Sequence, residues 1–285
     1  MDGDNKYDFS DAQLKKLENI FQPGLFNNKV LLVSGAGSGI GKTTAYLLAR
    51  LGATLVICGR DQKKIDHAAE QLQSLGAEVM AKSVDIRDPD QSTQLMTDIW
   101  NRFGRLDALV NNAGGQFAKA AIDISPNGWR AVVDNNLNGT WFMMQAAARQ
   151  WRDHQQQGNI INIVVVIDRG LCHLTHTVAA RAGIIYASKT AAVEWAPYNI
   201  RINCIAPGVI ESNGFNTYPE SVVKTFKRSN PMLRTGNSHD IAQAVVYLAS
   251  PASGFITGET IKVDGGGALW GEYWGAGERP EYFDE

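Results

Sequence analysis

A glycine-rich turn is the first feature of the sequence whose spacing suits a chemical role. The run Ser34-Gly35-Ala36-Gly37-Ser38-Gly39-Ile40-Gly41 follows a short apolar stretch, Val30–Val33, and precedes a helical pattern. Glycines at such positions permit a tight turn and a close backbone approach to a ligand, while the N–H groups that begin a helix attract phosphate. The spacing differs from the common G-x-G-x-x-G fingerprint. Its place between a strand and a helix still predicts a pyrophosphate site for a dinucleotide.

A second candidate site lies at the end of the next strand, in Cys58-Gly59-Arg60. An acid at this point would accept a hydrogen bond from the ribose 2′-hydroxyl of NAD(H), whereas a basic group accommodates a 2′-phosphate. Glycine occupies the place of the acid, and a guanidinium follows that matches phosphate in a bidentate fork. We therefore predict NADP(H) as the cofactor, the alternative being that Arg60 is a solvated surface residue.

The elements that must position these residues alternate between short apolar runs and longer amphipathic stretches. Val/Ile-rich strands separated by helices are typical of a parallel sheet covered on both faces. The sequence thus predicts an α/β fold, a doubly wound parallel sheet in a single domain. The predicted strands are Val30–Val33, Thr54–Ile57, Glu78–Val84, Ala108–Val110, Ile160–Val166, Ile202–Ile205 and Thr260–Val263. The predicted helices lie near 40–51, 61–75, 89–103, 126–151, 178–196 and 238–250.

Composition excludes several classes of function. The 285 residues hold 27 Lys and Arg against 29 Asp and Glu, and the formal net charge of −2 argues against a nucleic-acid partner. Three cysteines, Cys58, Cys172 and Cys204, have neither disulfide-framework nor metal-knuckle spacing, so no metal site is predicted. No apolar run approaches the ~20 residues that span a bilayer. Since a secretory signal pattern is also lacking, we expect a cytoplasmic compartment and no membrane partner.

Both ends of the chain read as additions to the central domain. Residues 1–26 are predicted to be an extension in which Ser10 caps a short helix with apolar residues at Leu14, Leu17, Ile20 and Phe21. Residues 268–285 are predicted to be a tail that docks on an apolar surface, because its end is rich in aromatic residues: Trp270, Tyr273, Trp274, Tyr282 and Phe283.

Further motifs follow the glycine turn in chain order: Asn111-Asn112-Ala113-Gly114, Pro207-Gly208-Val209-Ile210 and Val263-Asp264-Gly265-Gly266. With Asp85 at the end of the third strand, they resemble the short-chain dehydrogenase/reductase family over residues 29–267. The resemblance implies a seven-stranded Rossmann-like sheet in a domain at 27–267, a nicotinamide cofactor, and a homotetramer or homodimer. The predicted cofactor contacts are Gly35, Gly37, Ser38, Gly39, Ile40, Gly41, Arg60, Asp85, Ile86, Asn112, Ala113, Gly114, Arg181, Pro207, Gly208 and Ile210.

The family's usual catalytic residues, Asn, Ser and a Tyr four residues ahead of a Lys, are only partly present. The run Tyr186-Ala187-Ser188-Lys189 places the lysine three residues on. Counting back from Pro207-Gly208 puts the usual lysine on Arg181 and the usual tyrosine on Thr177. The usual serine falls on Val164 or Val165, and the asparagine is retained as Asn136.

These replacements disfavour ordinary alcohol–ketone chemistry. An aliphatic hydroxyl such as that of Thr177 is far less acidic than a phenol, and arginine does not relay protons. Reduction of an activated carbon–carbon double bond has different requirements. Negative charge develops on a thioester oxygen, and fixed hydrogen-bond donors can stabilise it. Asn136 and Thr177 are the candidate donors, Arg181 the candidate cation near the ring, and His176 the candidate proton donor, its alternative being a structural histidine before the helix.

Resemblance to one subgroup of the family also favours reduction of a carbon–carbon double bond. The runs Asn111–Phe117, His176–Gly183 and Glu194-Trp195 resemble peroxisomal trans-2-enoyl-CoA reductases and, less closely, 2,4-dienoyl-CoA reductases. It implies an NADPH-dependent reductase of an unsaturated acyl-CoA. The opening Phe21-x-Pro23-Gly24-Leu25-Phe26 resembles bacterial proteins of acyclic terpenoid breakdown, so an alcohol or carbonyl dehydrogenase with a displaced acid stays open. A cofactor-binding scaffold or sensor that has lost catalysis is the alternative from another class.

The substrate is expected above the carboxyl ends of the strands, beneath a lid formed by residues 211–234. Aromatic residues there suit an acyl channel, and basic residues suit the phosphates of CoA, although a solvated amphipathic helix would have the same pattern. The residues concerned are Phe215, Tyr218, Phe226, Lys224, Lys227, Arg228 and Arg234.

Overall fold

The computed structural model describes residues 6–270, apart from the side chains of Asn213 and Thr217. Seven parallel strands form one sheet in the order β3-β2-β1-β4-β5-β6-β7. The direction of winding reverses between β1 and β4, which is where doubly wound sheets bind ligands. The predicted α/β doubly wound sheet is confirmed. The strands are β1 (Val30–Ser34), β2 (Thr54–Gly59), β3 (Val79–Ser83), β4 (Ala108–Asn111), β5 (Gly158–Ile163), β6 (Ile200–Pro207) and β7 (Thr260–Val263).

Helices cover both faces of the sheet. On one face α2 packs against α9, and on the other α4 packs against α6. The helices are α1 (Asp11–Leu14), α2 (Gly39–Arg50), α3 (Gln62–Gln73), α4 (Pro89–Phe103), α5 (Pro126–Val133), α6 (Gly139–Asp153), α7 (Thr175–Trp195), α8 (Glu220–Val223) and α9 (Ser238–Ala249).

The alternation of side chains along β1 explains why its sequence is continuously apolar. Leu31 and Val33 point into the cluster beneath α2, α3 and α9, whereas Val30 and Leu32 point into the cluster beneath α4 and α6. Successive side chains of a strand point to opposite faces, so a strand between two helical layers buries every residue. Both clusters together form the core on which the loops at the carboxyl ends of the strands rest.

Local sequence signals set the ends of α4. The Asp88 carboxylate accepts hydrogen bonds from the N–H groups of Asp90 and Gln91, and Pro89 occupies the first helical position, where no N–H is needed. Gly104 ends the helix with φ of +65°, a left-handed conformation that glycine adopts without a Cβ clash. The predicted bounds of 89–103 therefore match the observed helix.

Several boundaries differ from the sequence-based predictions, and three of the differences lie near the carboxyl ends of the central strands. Strand β5 ends at Ile163 rather than Val166. The Val164 N–H still donates to the Ile205 carbonyl of β6, at 2.8 Å, and the residues after it no longer belong to the strand. The helix predicted near 126–151 is interrupted by a π-helical segment, Asp134–Asn138, whose hydrogen bonds span one extra residue. Helix α7 begins at Thr175, three residues earlier than predicted.

Over residues 6–26, the part of the N-terminal extension that the structure describes, one turn of α-helix forms. Ser10 caps α1 in a reciprocal capping box with Gln13, as its residue type indicates. Beyond Leu14 the apolar spacing does not continue as a helix, and Ile20 is 87% exposed. Of the aromatic residues predicted to dock the tail, Tyr273, Trp274, Tyr282 and Phe283 lie outside the described residues.

Within residues 6–270, no helix combines the length and the apolar character needed to cross a bilayer. The same part of the chain holds no group of three or more His, Cys, Asp or Glu side chains arranged to bind a metal ion.

Asp11 attaches the extension to the domain, and its charge is strongly stabilised. Its carboxylate accepts from Lys42 Nζ at 2.7 Å, from the Tyr46 hydroxyl, and from His67 Nε2 at 3.0 Å. Burial alone would raise the pKa of Asp11, but these hydrogen bonds lower it from 3.8 to about 2. A carboxyl whose folded pKa is depressed stabilises the fold above its unfolded pKa and loses that contribution as the pH falls through the folded value.

We expect the Asp11→Asn variant to lose about 1 kcal/mol of unfolding free energy at pH 7, because its neutral amide interacts more weakly with Lys42. The difference from the wild type should shrink as the pH falls from 4 toward 2. Urea denaturation at several pH values measures both effects. Asp153→Asn is the control, since that carboxylate is 58% exposed and should change stability little. A difference that stays constant down to pH 2 would contradict this account.

Candidate active site

The glycine turn lies in close contact with the loop that follows β4. Gly35 and Gly39 have φ of +67° and +53°, left-handed values that the turn requires. A Cβ added to Gly41 would lie 2.3 Å from Asn112 Nδ2, so only glycine permits this approach. Asn112 Nδ2 donates to the carbonyls of Ser34 and Gly35, at 3.0 and 3.2 Å, which joins the two loops.

The beginning of α2 is arranged to receive an anion. Ser38, the residue that precedes the helix, makes no side-chain capping hydrogen bond to the first N–H groups. Such groups carry the positive end of the helix dipole and bind phosphate well. The absence of side chains at the glycines of the turn and the uncapped helix start together fit the pyrophosphate of a dinucleotide.

A cleft of about 380 Å³ opens above this turn. Its lining includes ten of the predicted cofactor residues: Gly35, Gly37, Ser38, Gly39, Ile40, Arg60, Ile86, Asn112, Ala113 and Gly114. Eight further residues line the cleft without having been predicted as direct cofactor contacts, although Gly59 was placed in the second candidate site, and Ser212 and Gly214 in the lid: Gly59, Asp61, Lys64, Ile65, Val84, Asn135, Ser212 and Gly214. Lys64 and Asp61 were detectable in principle, because they lie just beyond Arg60 at the start of α3.

The other predicted cofactor residues surround the cleft without lining it. Gly41 packs behind the turn, and the Asp85 carboxylate is engaged by Arg87, whose hydrogen bonds lower the pKa of Asp85. Pro207 ends β6, and Gly208 packs against the backbone of Asp264 at the end of β7. The remaining two are Ile210, which bridges to Gly236, and Arg181, which is described below.

Opposite charges lie together at the end of β2. Arg60 is exposed on the lining, and the Lys64 ammonium lies 4.0 Å from the Asp61 carboxylate. Asp61 caps α3 by accepting from the Lys64 N–H at 3.2 Å, which accounts for an acid beside two cations. Gly59 has no side chain there, and an added Cβ would lie 3.1 Å from the end of the Ile65 side chain.

Arg181 lies at the inner end of the cleft, beside Gly114. A Cβ added to Gly114 would be 2.8 Å from Arg181 Nη2 and 2.7 Å from Asn136 Oδ1. The guanidinium donates from Nη1 to the Ile163 carbonyl at 2.7 Å and from Nε to the Thr177 hydroxyl at 3.3 Å. Burial lowers the pKa of Arg181 to about 10, so the group is charged at neutral pH. Among the described residues no carboxylate pairs with it and Nη2 has no hydrogen-bond partner.

Asn136 lies within the π-helical segment and is buried. Its Nδ2 donates to the carbonyls of Gly115 and Val132, both at 2.8 Å, and its Oδ1 accepts from the Gly115 N–H at 3.2 Å. Both N–H groups of the amide are therefore used within the protein. The arrangement corrects the expectation that Asn136 donates directly to a substrate, because its amide fixes the backbone at Gly115 instead.

His176 and Thr177 are wholly buried in the first turn of α7, not in a loop before it. His176 Nδ1 accepts from the Thr177 N–H at 3.0 Å, which leaves the proton of a neutral ring on Nε2. In the described part of the chain Nε2 has no partner. The edge of Phe117 covers the ring at a centroid distance of 4.5 Å, and Phe117 itself is 43% exposed.

The residues of the apparent Tyr-x-x-Lys motif lie away from this cluster. Tyr186 is 65% exposed, and the Lys189 ammonium lies 4.9 Å above the Tyr186 ring. Ile185, one helical turn beyond Arg181, is buried in an apolar cluster with Val164. The face of α7 toward Gly114 therefore carries the Arg181 guanidinium, with the buried Thr177 hydroxyl bonded to it.

Residues 211–234 form short turns rather than one amphipathic helix. A 3₁₀ turn at Asn213–Thr217, α8, and a second 3₁₀ turn at Phe226–Ser229 make up most of the segment. The three aromatic residues do come together in this segment, as described below. Among its basic residues, Lys224 pairs with Glu220 at 3.4 Å, and Arg234 pairs with Asp240 at 3.2 Å.

Comparison with known proteins identifies the family. A family model described as enoyl-(acyl carrier protein) reductase matches residues 35–267. A probable 2,4-dienoyl-CoA reductase of Bacillus subtilis is 37% identical over 84% of this chain and 96% of its own length. A peroxisomal 2,4-dienoyl-CoA reductase of Danio rerio is 34% identical over 91% and 88%, respectively. The solved structure of a citronellol catabolism dehydrogenase of Pseudomonas aeruginosa is 33% identical with a TM-score of 0.79, over 88% of this chain and 100% of that one. The chain belongs to the short-chain dehydrogenase/reductase family of oxidoreductases.

Proposed function

We propose that the protein is an NADP(H)-dependent reductase of the carbon–carbon double bond of an unsaturated acyl-CoA. The observation that carries this proposal is that Arg181, bonded to Thr177, lies at the inner end of the cleft. Tyr186 and Lys189, in contrast, lie away from the cleft. The similarity to two 2,4-dienoyl-CoA reductases supports the substrate class.

Different groups of cleft residues would hold different phosphates of the cofactor. The glycine turn and the start of α2 would hold the pyrophosphate, and Arg60 with Lys64 would hold a 2′-phosphate. Asp85, Ile86 and the residues from Pro207 to Ile210 stay proposals for contacts at the edges of the bound molecule. When bound, the nicotinamide would supply a hydride to the β-carbon of the substrate.

The remaining steps belong to the protein's own residues. Arg181 is fixed by Ile163 and Thr177, so its free Nη2 donor is aimed without rearrangement and can stabilise the charge that develops on the thioester oxygen. Asn136 is a positioning residue that holds Gly115 and thereby the wall of the cleft. His176 carries a donor proton on Nε2 behind Phe117 and would protonate the α-carbon of the substrate once that ring moves aside.

Assembly and compartment are parts of the same proposal. Large apolar side chains are exposed on α5 and α7, with Trp129 at 39%, Tyr186 at 65% and Val193 at 77%, and they suit pairing of subunits into a homodimer or homotetramer. Sedimentation velocity of the wild type and of Val193→Glu tests this, since a charge at a buried interface should dissociate it. We also propose a reducing, cytoplasmic compartment, in keeping with the free cysteines Cys58, Cys172 and Cys204.

Oxidation of NADPH in the presence of a panel of substrates tests the function directly. We expect turnover with 2-enoyl-CoA or 2,4-dienoyl-CoA and little with ketones or terpenoid aldehydes, because no phenol lies beside Arg181 among the described residues. Turnover with carbonyl compounds alone would favour the alcohol or carbonyl dehydrogenase, which the similarity to the citronellol catabolism dehydrogenase makes the second candidate. NADPH binding without any turnover would favour a scaffold or sensor.

The register of α7 is tested by a matched pair of charge removals. Arg181→Gln should lower kcat about 100-fold, since it removes the fixed donor at the inner end of the cleft. Lys189→Gln removes a cation two turns along the same helix and should leave kcat unchanged. His176→Leu, measured in the same assay, should also lower kcat about 100-fold while dinucleotide affinity is kept. Loss of activity in Lys189→Gln with retention in Arg181→Gln would overturn the assignment.

Cofactor preference is tested at the end of β2. Arg60→Ala should raise the Kd of NADPH about tenfold and leave that of NADH unchanged, because only NADPH carries the 2′-phosphate. Gly59→Asp should shift preference toward NADH. Lys63→Ala is the control, because Lys63 is an equally exposed cation of α3 that does not line the cleft. Unchanged NADPH affinity in both test variants, measured by fluorescence titration, would refute the assignment.

A further inference from the structure

Residues 7–26, which we call the N-terminal strap, are fastened to the domain at several places. Besides the Asp11 contacts, Arg50 of α2 donates to the carbonyls of Leu14 and Leu17. On the adjoining helix α9, His239 Nε2 lies 2.9 Å from the Glu18 carbonyl. The strap therefore runs along α2 and reaches α9. Polar contacts hold it between Asp11 and Glu18.

The start of the strap continues into the segment that follows β6. The Tyr7 ring lies 5.2 Å from the Phe215 ring, between centroids, at an interplanar angle of 57°. Phe215 is 6% exposed and meets Phe226 edge to face at 4.9 Å, and Tyr218 packs on Phe226 at 5.5 Å. Tyr7 is thus the member of this aromatic cluster that comes from outside the segment.

The aromatic cluster lies directly behind the wall of the cleft. Ser212 and Gly214 line the cleft, and Phe215 is the next residue along the same 3₁₀ turn. The segment is built from short turns and the four-residue helix α8, whose backbone hydrogen bonds join residues three or four apart and so are local to each turn. The segment is attached to the domain by the Arg169 guanidinium, which donates to the Ser229 carbonyl at 3.2 Å, and by side-chain packing in which the Tyr7–Phe215 contact takes part.

We propose that the N-terminal strap holds residues 212–229 in place over the dinucleotide cleft and that Tyr7 is a positioning residue acting through Phe215. Removing the Tyr7 ring would let Ser212 and Gly214 withdraw more often from the cleft, and a bound dinucleotide would leave faster. The inference uses the family's dinucleotide binding and is independent of which acyl or carbonyl compound is reduced.

Hydrogen exchange of the protein without ligand tests the contact itself. In Tyr7→Ala, amides of residues 212–229 should exchange about fivefold faster than in the wild type, the factor that corresponds to one aromatic pair. Tyr7→Phe keeps the ring and should restore wild-type exchange. Ile20→Ala is the control within the strap, because that side chain is 87% exposed. Equal exchange in Tyr7→Ala and the wild type would overturn the proposal.

Stopped-flow dissociation of the dinucleotide, with NADPH and NADH each tested, measures the consequence. We expect the dissociation rate to rise about fivefold in Tyr7→Ala, while kcat at saturating cofactor and the melting temperature stay within error of the wild type. A fall in kcat together with the melting temperature would indicate a merely structural role and would also overturn the proposal. Because neither exchange nor dissociation requires a substrate, failure of the acyl-CoA assignment would leave both readouts intact.

Discussion

The contact between the turn after β1 and the loop after β4 is the constraint on which the candidate site depends. Two glycines, Gly35 and Gly41, allow the two backbones to approach until the Asn112 amide bridges the carbonyls of Ser34 and Gly35. The same contact places Gly114 against Arg181, so that the phosphate end and the inner end of the cleft share one rigid support. A side chain at Gly41 would separate these loops and alter both ends together.

Arg181 carries a positive charge in a position where burial opposes that charge. Burial makes a cation costly, and among the described residues no carboxylate compensates this one. The charge is held instead by the Ile163 carbonyl and the Thr177 hydroxyl, which orient the guanidinium without neutralising it. An oriented, uncompensated guanidinium can stabilise a developing oxyanion, and it can also donate hydrogen bonds to the neutral hydroxyls of a ribose.

The segments on either side of the cleft are built differently. On the inner side, the Asn136 side chain of the π-helical turn fixes Gly115 through two hydrogen bonds and is itself held by a third to the Val132 carbonyl, which makes that wall rigid. On the outer side, Ser212 and Gly214 belong to a segment of short turns that rests on aromatic packing. A site with one fixed and one adjustable wall can orient a reacting group while still exchanging its ligand.

Local sequence patterns were enough to predict the fold class, the order of the motifs and ten of the residues that line the cleft. These follow from short-range rules: strand and helix periodicity, and glycines that permit a turn before a helix. Counting back from Pro207-Gly208 also predicts Arg181, rather than Lys189, as the cation near the nicotinamide. Three contacts became known from the three-dimensional structure alone. The Asn136 amide bonds to Gly115, Lys64 lines the cleft, and the Tyr7 ring packs against Phe215. Each of those contacts joins side chains from separate elements, and the direction of a side chain across a packed interface has no signature in local periodicity.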